Sequence, residues 1–158
     1  MFKHILVPLD GSKVGEAALP IIDQLCGNLG QGIKVEITLL GVMTLLRHWV
    51  TVGEASAPVS YTEEELNIIK QRVLNYLDKT TQSIECKGVT INTIVRMGNA
   101  ADEILKAADE IHADLIAMST HGRSGLRRLA FGSITDKVLH GTSIPVLMVR
   151  AAEGTTNE

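Results

Sequence analysis

Ile5-Leu6-Val7-Pro8-Leu9-Asp10-Gly11-Ser12 is the stretch on which the reading of the fold turns. Its first three residues are a solid apolar run, as a strand buried on both faces requires. Asp10-Gly11-Ser12 marks a turn, and Val14, Ala17, Ala18, Ile21, Ile22 and Leu25 follow at helical spacing. Ser12 stands where that helix needs an N-cap. A buried strand, a tight turn and an amphipathic helix in succession make a βα unit. Pro20 falls inside the helical stretch and is expected to kink it or remove a hydrogen bond.

The unit repeats along the chain. Ile33, Val35, Ile37 and Leu39 alternate with Lys34, Glu36 and Thr38, a strand with one wetter face. Residues 43–61 carry Gly53, Ser56, Pro58 and Ser60 beside Leu45, Leu46 and Trp49, and read as a long, partly apolar loop of the lid or binding kind. Thr62-Glu63-Glu64-Glu65 is a capping box that opens a helix with Leu66, Ile69, Val73, Tyr76, Leu77 and Ile84. Val89, Ile91, Thr93 and Val95 alternate as a strand, and Asn99 caps a helix carrying Ile104, Leu105, Ala108 and Ile111. Leu115-Ile116-Ala117-Met118 is a second solid apolar strand, followed by a glycine-rich loop from Ser119 to Gly132. Ser133-Ile134-Thr135-Asp136 opens a short helix that stops at Gly141, and Ile144 to Val149 is the last strand. Residues 1–150 read as one domain and 151–158 as a disordered tail.

Strands alternating with helices imply a parallel sheet with right-handed crossovers. The solid runs 5–7 and 115–118 belong at its centre, and the alternating runs lie toward one side. Pro145, which lacks an N–H, places the last strand at an edge. The expected fold is therefore α/β, a five-stranded parallel sheet of flavodoxin-like or Rossmann-like order 3-2-1-4-5 with helices on both faces. Its topological switch point lies between the first and fourth strands, and such sheets bind ligands there, outside the carboxyl ends of the strands.

Composition excludes several classes. With 158 residues, 45% of them hydrophobic and 21% charged, most of the chain is not disordered. Fifteen Lys+Arg against eighteen Asp+Glu give −3, so there is no basic nucleic-acid footprint. Aromatics make up 3%, too few for a base-stacking platform, and no nucleic-acid partner is expected. No apolar run approaches the ~20 residues of a membrane span, and the apolar stretch near the N-terminus is too short for a signal peptide. A cytoplasmic protein without a membrane partner is expected. Cys26 and Cys86 lie far apart in sequence and form no CxxC pattern, so neither a zinc site nor a disulfide is expected. His4, His48, His112 and His140 show no metal-ligand spacing.

Two loops flank the switch point, Val7 to Ser12 and Met118 to Ser133. The second carries Gly122, Gly125 and Gly132, and glycine permits close backbone approach to a ligand. Gly132-Ser133 sits where a helix begins, so free N–H groups and the helix dipole favour a phosphate. Arg123, Arg127 and Arg128 add positive charge. A nucleotide with its phosphates in this loop is one reading, and a solvated surface loop of glycines and arginines is the other. The pattern is neither GxGxxG nor GxxxxGK[ST].

Val7-Pro8-Leu9-Asp10-Gly11-Ser12, Met118-Ser119-Thr120-His121-Gly122-Arg123-Ser124-Gly125, Gly132-Ser133 and Pro145-Val146-Leu147-Met148-Val149 together resemble the universal stress protein family, from Phe2 to Arg150. ATP-binding members of that family carry Gly, two residues, Gly, nine residues, then Gly and Ser or Thr. Here Ser119, two residues, Gly122, nine residues and Gly132-Ser133 keep that spacing. Ser119 replaces the first glycine; its Cβ and hydroxyl either crowd the ligand or donate a hydrogen bond to it, and its backbone N–H stays available.

The resemblance implies that Pro8, Leu9 and Asp10 line the adenosine side, Asp10 near the ribose or a metal-bound group. It sets the backbone of Val42 against adenine, and Gly122, Arg123, Gly132 and Ser133 on the phosphates. Met118, Ser119, His121 and Ile134 complete the implied site, His121 as a loop-orienting or exposed histidine rather than a catalytic base. The implied ligands are ATP or another adenine nucleotide, with Mg²⁺ bridging the phosphates and keeping most of its waters. The implied role is a stress-response or signalling factor with unnamed signalling partners. The apolar edge strand Ile144 to Val149 would be an aggregation hazard alone, and the resemblance points to a homodimer that covers it. No carboxylate stands beside the phosphate loop, and Asp136 reads as a capping residue in the next helix, so a binding protein with at most slow hydrolysis is expected rather than an enzyme. The alternatives are a family member that binds no nucleotide and acts through protein contacts, and a flavodoxin-like carrier with FMN at the switch point, against which the few aromatics argue.

Overall fold

A computed structural model describes residues 2–27, 34–45, 48–52, 55–120 and 132–151. Strand β1 (His4–Leu9) leads through a turn and one stretch of 3-10 helix (Gly15–Ala18) into α1 (Leu19–Gly27). Next come β2 (Val35–Met43), β3 (His48–Val52), β4 (Ala55–Val59) and α2 (Glu63–Thr81). They are followed by β5 (Val89–Met97), α3 (Ala100–Glu110), β6 (Leu115–Thr120), α4 (Ser133–Gly141) and β7 (Val146–Arg150). The main sheet has the order β5-β2-β1-β6-β7 and every pairing in it is parallel. That is the order 3-2-1-4-5 expected from the sequence. No described helix is long and apolar enough to cross a membrane.

The alternation of strand side chains divides the core into two layers. Ile5, Val7 and Leu9 of β1, with Ile37 and Leu39 of β2, pack against Leu19 and Ile22 of α1 and Leu77 of α2. Leu6, Leu40, Ile116 and Met118 point the other way, onto Ala101, Ile104, Ala107 and Ala108 of α3 and Val138 of α4. A strand with apolar residues on both faces needs a cover on each side, and the two helix layers supply it.

Four expectations change. β2 has no wetter face along most of its length: Thr38 is buried, and Glu36 is exposed near the strand's start. The α3 layer covers that side, so a short polar residue fits where a charged one would not. The described residues of 43–61 do not form a long loop. β2 continues to Met43, and β3 and β4 form an antiparallel hairpin in register Val50↔Ala57. Both hairpin strands are edges, where the missing N–H of Pro58 is tolerated. The single helix expected from Val14 to Leu25 is two pieces, and Pro20 does not kink it. Pro20 is the second residue of α1, in the first turn, where a backbone N–H has no partner within the helix. Finally, Ala151 is not loose: it is buried, and its N–H donates 3.1 Å to Thr120 O, while 152–158 lie outside the described residues.

The expected caps of α2 and α3 form. Thr62 Oγ1 accepts from Glu65 N at 3.2 Å while Glu65 Oε2 accepts from Thr62 N at 2.8 Å, and Asn99 Oδ1 accepts from Ala101 N at 3.1 Å. β7 lies at the sheet edge, as Pro145 indicated. The two cysteines, distant in sequence, meet in space. Both are free, and they pack into the same core layer where α1 meets the segment leading into β5. Asp23 Oδ1 fixes that segment by accepting from Glu85 N and Cys86 N, each at 2.8 Å. Burial pushes both thiols up, and with the neighbouring Cys26 and Asp23 it takes Cys86 to about 12.

Two tests follow from this packing. α2 lies so close to β2 that a Cβ at Gly41 would strike Val73 Cγ1 and touch Leu77 Cδ1. Gly41→Ala is expected to cost about 1–3 kcal/mol, read as a lower urea midpoint; an unchanged midpoint would contradict this contact. The Cys86 thiol holds its proton more tightly folded than unfolded, so its contribution to stability is whole below the usual thiol value of 9.0 and falls as pH rises from there toward about 12. Urea unfolding at rising alkaline pH should show a steeper loss for the natural chain than for Cys86→Ala; parallel losses would remove the thiol from the account.

Candidate functional site

The carboxyl ends of β1, β2 and β6 open into a cavity of about 650 Å³, within the ~300–1,000 Å³ usual for small-molecule sites. It lies where the sheet order reverses, because the connection from β1 crosses to one face and the connection from β6 to the other. Pro8, Leu9 and Asp10 reach it from the end of β1, Val42 from β2, and Met118 and Ser119 from β6. Gly132, Ser133 and Ile134 reach it from the start of α4. His121, Gly122 and Arg123, also expected in the site, lie outside the described residues.

Residues not singled out from the sequence complete the wall: Gly15, Leu40, Ala100, Ile104, Thr120 and Thr135. Most had a legible signal. Leu40 precedes Val42 by one strand period, and Ala100 and Ile104 form an (i, i+4) pair behind the Asn99 cap. Since every crossover helix of a parallel sheet begins at the carboxyl edge, the start of α3 was bound to face the same opening.

The cavity has two chemical ends. Leu40, Val42, Ile104 and Met118 make one wall apolar. At the other end α4 begins at Ser133, and its N-cap is Gly132, which has no side chain to accept from the first-turn N–H groups. Ser133 is thus the first helical residue and not the cap. The first N–H groups of a helix have no partner within it, and with the helix dipole they attract an anion. Asp136 does not cap α4 either: its N–H bonds back to Gly132 O at 2.9 Å, and it faces His140 Nδ1 at 3.6 Å.

Asp10 is held by its own loop. Its Oδ1 accepts from Ser12 N at 2.9 Å and from Ser12 Oγ at 2.6 Å, and Ser12 Oγ in turn accepts from Gly15 N at 2.9 Å. Ser12 Oγ thus accepts an N–H at the entrance to the 3-10 stretch, but the cap position there is Val14, without a side-chain cap, and not Ser12 as the sequence suggested. Gly11, at φ +83°, makes the reversal that L side chains resist. A Cβ at Gly15 would strike Asp10 Oδ1, so the carboxylate and the loop are fitted to each other. Ser119 Oγ donates 2.8 Å to Gly15 O and accepts from Ala18 N at 2.8 Å. Behind the loop, Tyr76 OH donates 3.1 Å to Glu16 Oε1, and burial followed by the nearby Glu16 charge pushes the phenol up. Among the described residues, Asp10 is the sole charged group lining the cavity, and no cluster of three His, Cys, Asp or Glu could hold a metal.

Comparison with known proteins agrees with this architecture. The universal stress protein family model matches residues 1–150. Universal stress protein YxiE of Bacillus subtilis is 31% identical over 150 residues, spanning 95% of this chain and 100% of the relative. Universal stress protein MJ0577 of Methanocaldococcus jannaschii is 27% identical over 158 residues, spanning 95% of this chain and 96% of the relative. The solved structure of MJ0577 superposes with a TM-score of 0.71 at 24% identity, over 98% of this chain and 99% of that one. A universal stress protein family member from Arabidopsis thaliana, solved with AMP bound, superposes with a TM-score of 0.60 at 13% identity, over 96% of this chain and 93% of that one. A further universal stress protein, solved with cAMP, gives 0.58 at 18% identity, over 96% and 98%. By the family match over residues 1–150 and by relatives that align along nearly its whole length, the chain belongs to the universal stress protein family.

Proposed function

We propose that this universal stress protein binds ATP or another adenine nucleotide at the switch point between β1 and β6, and acts as a cytoplasmic stress or signalling factor with little or no hydrolysis. The observation that carries this reading is the cavity whose apolar wall ends on the open N-terminus of α4. A purine suits Leu40, Val42, Ile104 and Met118, and a phosphate suits the N–H groups at Ser133 and Ile134. A Cβ at Gly132 would meet nothing within 4 Å among the described residues. The structural neighbours solved with AMP and cAMP support an adenine nucleotide in this fold.

Mg²⁺ takes oxygen ligands and gives up its waters reluctantly. The lining offers it the Asp10 carboxylate and the hydroxyls of Ser133 and Thr135, which fits an ion carried in on the phosphates. Those residues would hold the ion beside the nucleotide, where it would supply charge neutralisation of the phosphates. Asp10 has one carboxylate oxygen committed to Ser12, which suits it to accept from a ligand hydroxyl more than to activate water.

The direct test is to empty the purified chain by unfolding, identify any released nucleotide by mass spectrometry, and titrate ATP·Mg²⁺ into the refolded chain by calorimetry. Saturable binding is expected, with turnover below about 1 s⁻¹; no released nucleotide and no binding heat at several temperatures would leave a member acting through protein contacts alone. The exposed edge of β7, with Val146, Leu147, Met148 and Val149 all half-buried, also supports a homodimer that pairs this strand across a two-fold axis. Sedimentation at micromolar concentration should give a dimer that Leu147→Lys converts to monomer, and a monomer in the natural chain would refute the pairing.

A further inference from the structure

Ser119 occupies the one position at which the chain departs from the spaced glycine pattern, and its hydroxyl is already committed. A serine hydroxyl has one proton to give. Ser119 gives it to Gly15 O and accepts from Ala18 N, so it sits astride a single 3-10 turn. It cannot donate to a ligand without releasing Gly15. The same turn carries a chain of short contacts to the cavity: Gly15 N donates to Ser12 Oγ, Ser12 Oγ donates to Asp10 Oδ1, and Gly15 Cα lies so close to that oxygen that a Cβ would strike it. Any shift of Gly15 is therefore felt at the Asp10 carboxylate.

We propose that Ser119 is a positioning residue of the nucleotide site: its hydroxyl pins the Gly15–Ala18 turn to β6 and so holds the Asp10 carboxylate in the orientation that receives the ligand. This rests on the nucleotide reading above and refines it. The Ser119 hydroxyl is neither an obstruction nor a ligand contact. The glycine of the family pattern leaves this turn without a side-chain tie, whereas here β6 and the Asp10 loop are coupled through one hydroxyl.

The two other readings of Ser119, crowding the ligand or bonding it, make different forecasts. If the side chain crowded the ligand, Ser119→Gly would tighten binding. If the hydroxyl bonded the ligand, Ser119→Ala would weaken binding equally whether or not residue 10 were a carboxylate. Positioning through Asp10 forecasts that Ser119→Ala and Ser119→Gly both weaken ATP·Mg²⁺ binding about tenfold, and that the loss shrinks to less than about twofold in an Asp10→Asn background, as a double-mutant cycle reads it. Amide hydrogen exchange should also quicken at Ala18 in both Ser119 variants, with circular dichroism unchanged. Unchanged or tighter binding in the Ser119 variants, or an equal loss in both backgrounds, overturns the proposal while leaving the nucleotide reading intact. If the natural chain binds no ATP, the nucleotide reading fails and the positioning claim falls with it. The exchange at Ala18 then decides separately whether the tie itself holds the turn.

Discussion

Everything in this chain follows from β1 being apolar on both faces. Ile5 and Val7 turn one way, Leu6 the other, and all three are buried. A strand of that kind cannot be covered by helices on one side alone. The connection after β1 therefore runs to one face, that after β6 to the other, and the two diverge at the carboxyl edge of the sheet. The cavity is the gap this divergence leaves. It is a consequence of how the core is buried before it is a feature of any particular side chain, which is why the fold supports ligand binding at this point so readily.

Function is then laid over that gap by local backbone chemistry. Gly132 leaves α4 without a side-chain cap, and the first N–H groups of a helix, which lack partners within it, suit an anion. Asp10 is brought to the opposite rim by a turn that needs glycine at 11 for its φ and at 15 for room. The apolar wall between the two is continuous with the α3 layer of the core, through Ile104 and Met118. A ligand that is apolar and planar at one end and anionic at the other matches this arrangement. The universal stress protein family, to which the match over residues 1–150 assigns the chain, includes proteins solved with AMP and cAMP.

What was legible in the sequence was what depends on near neighbours. The solid runs at 5–7 and 115–118, the capping box at Thr62 and the Asn99 cap each announce themselves within a few residues, and they were enough to give the strand order. Pro145 marked the edge because a missing N–H is a local fact with a topological meaning. The hairpin His48–Val59 was hidden because Gly, Ser and Pro within it gave turn signals as strong as its β-branched Val50-Thr51-Val52. Pro20 misled because the helix boundary was placed too early: Gly15–Ala18 forms a tighter 3-10 stretch, and the α-helix starts just before the proline. The role of Ser119 and the meeting of Cys26 with Cys86 could not be read at all. Both join segments that only the folded sheet brings together.

Whether an adenine nucleotide occupies the gap between β1 and β6, as proposed, can be read residue by residue in solution. Amide chemical shifts of the ¹⁵N-labelled chain, followed during titration with ATP·Mg²⁺, report which residues sense the ligand. The account requires the largest changes at Gly15, Val42, Ser119, Ser133 and Ile134, which line the cavity from separate elements. Changes confined to the exposed face of α2, or none at saturating nucleotide, would contradict it.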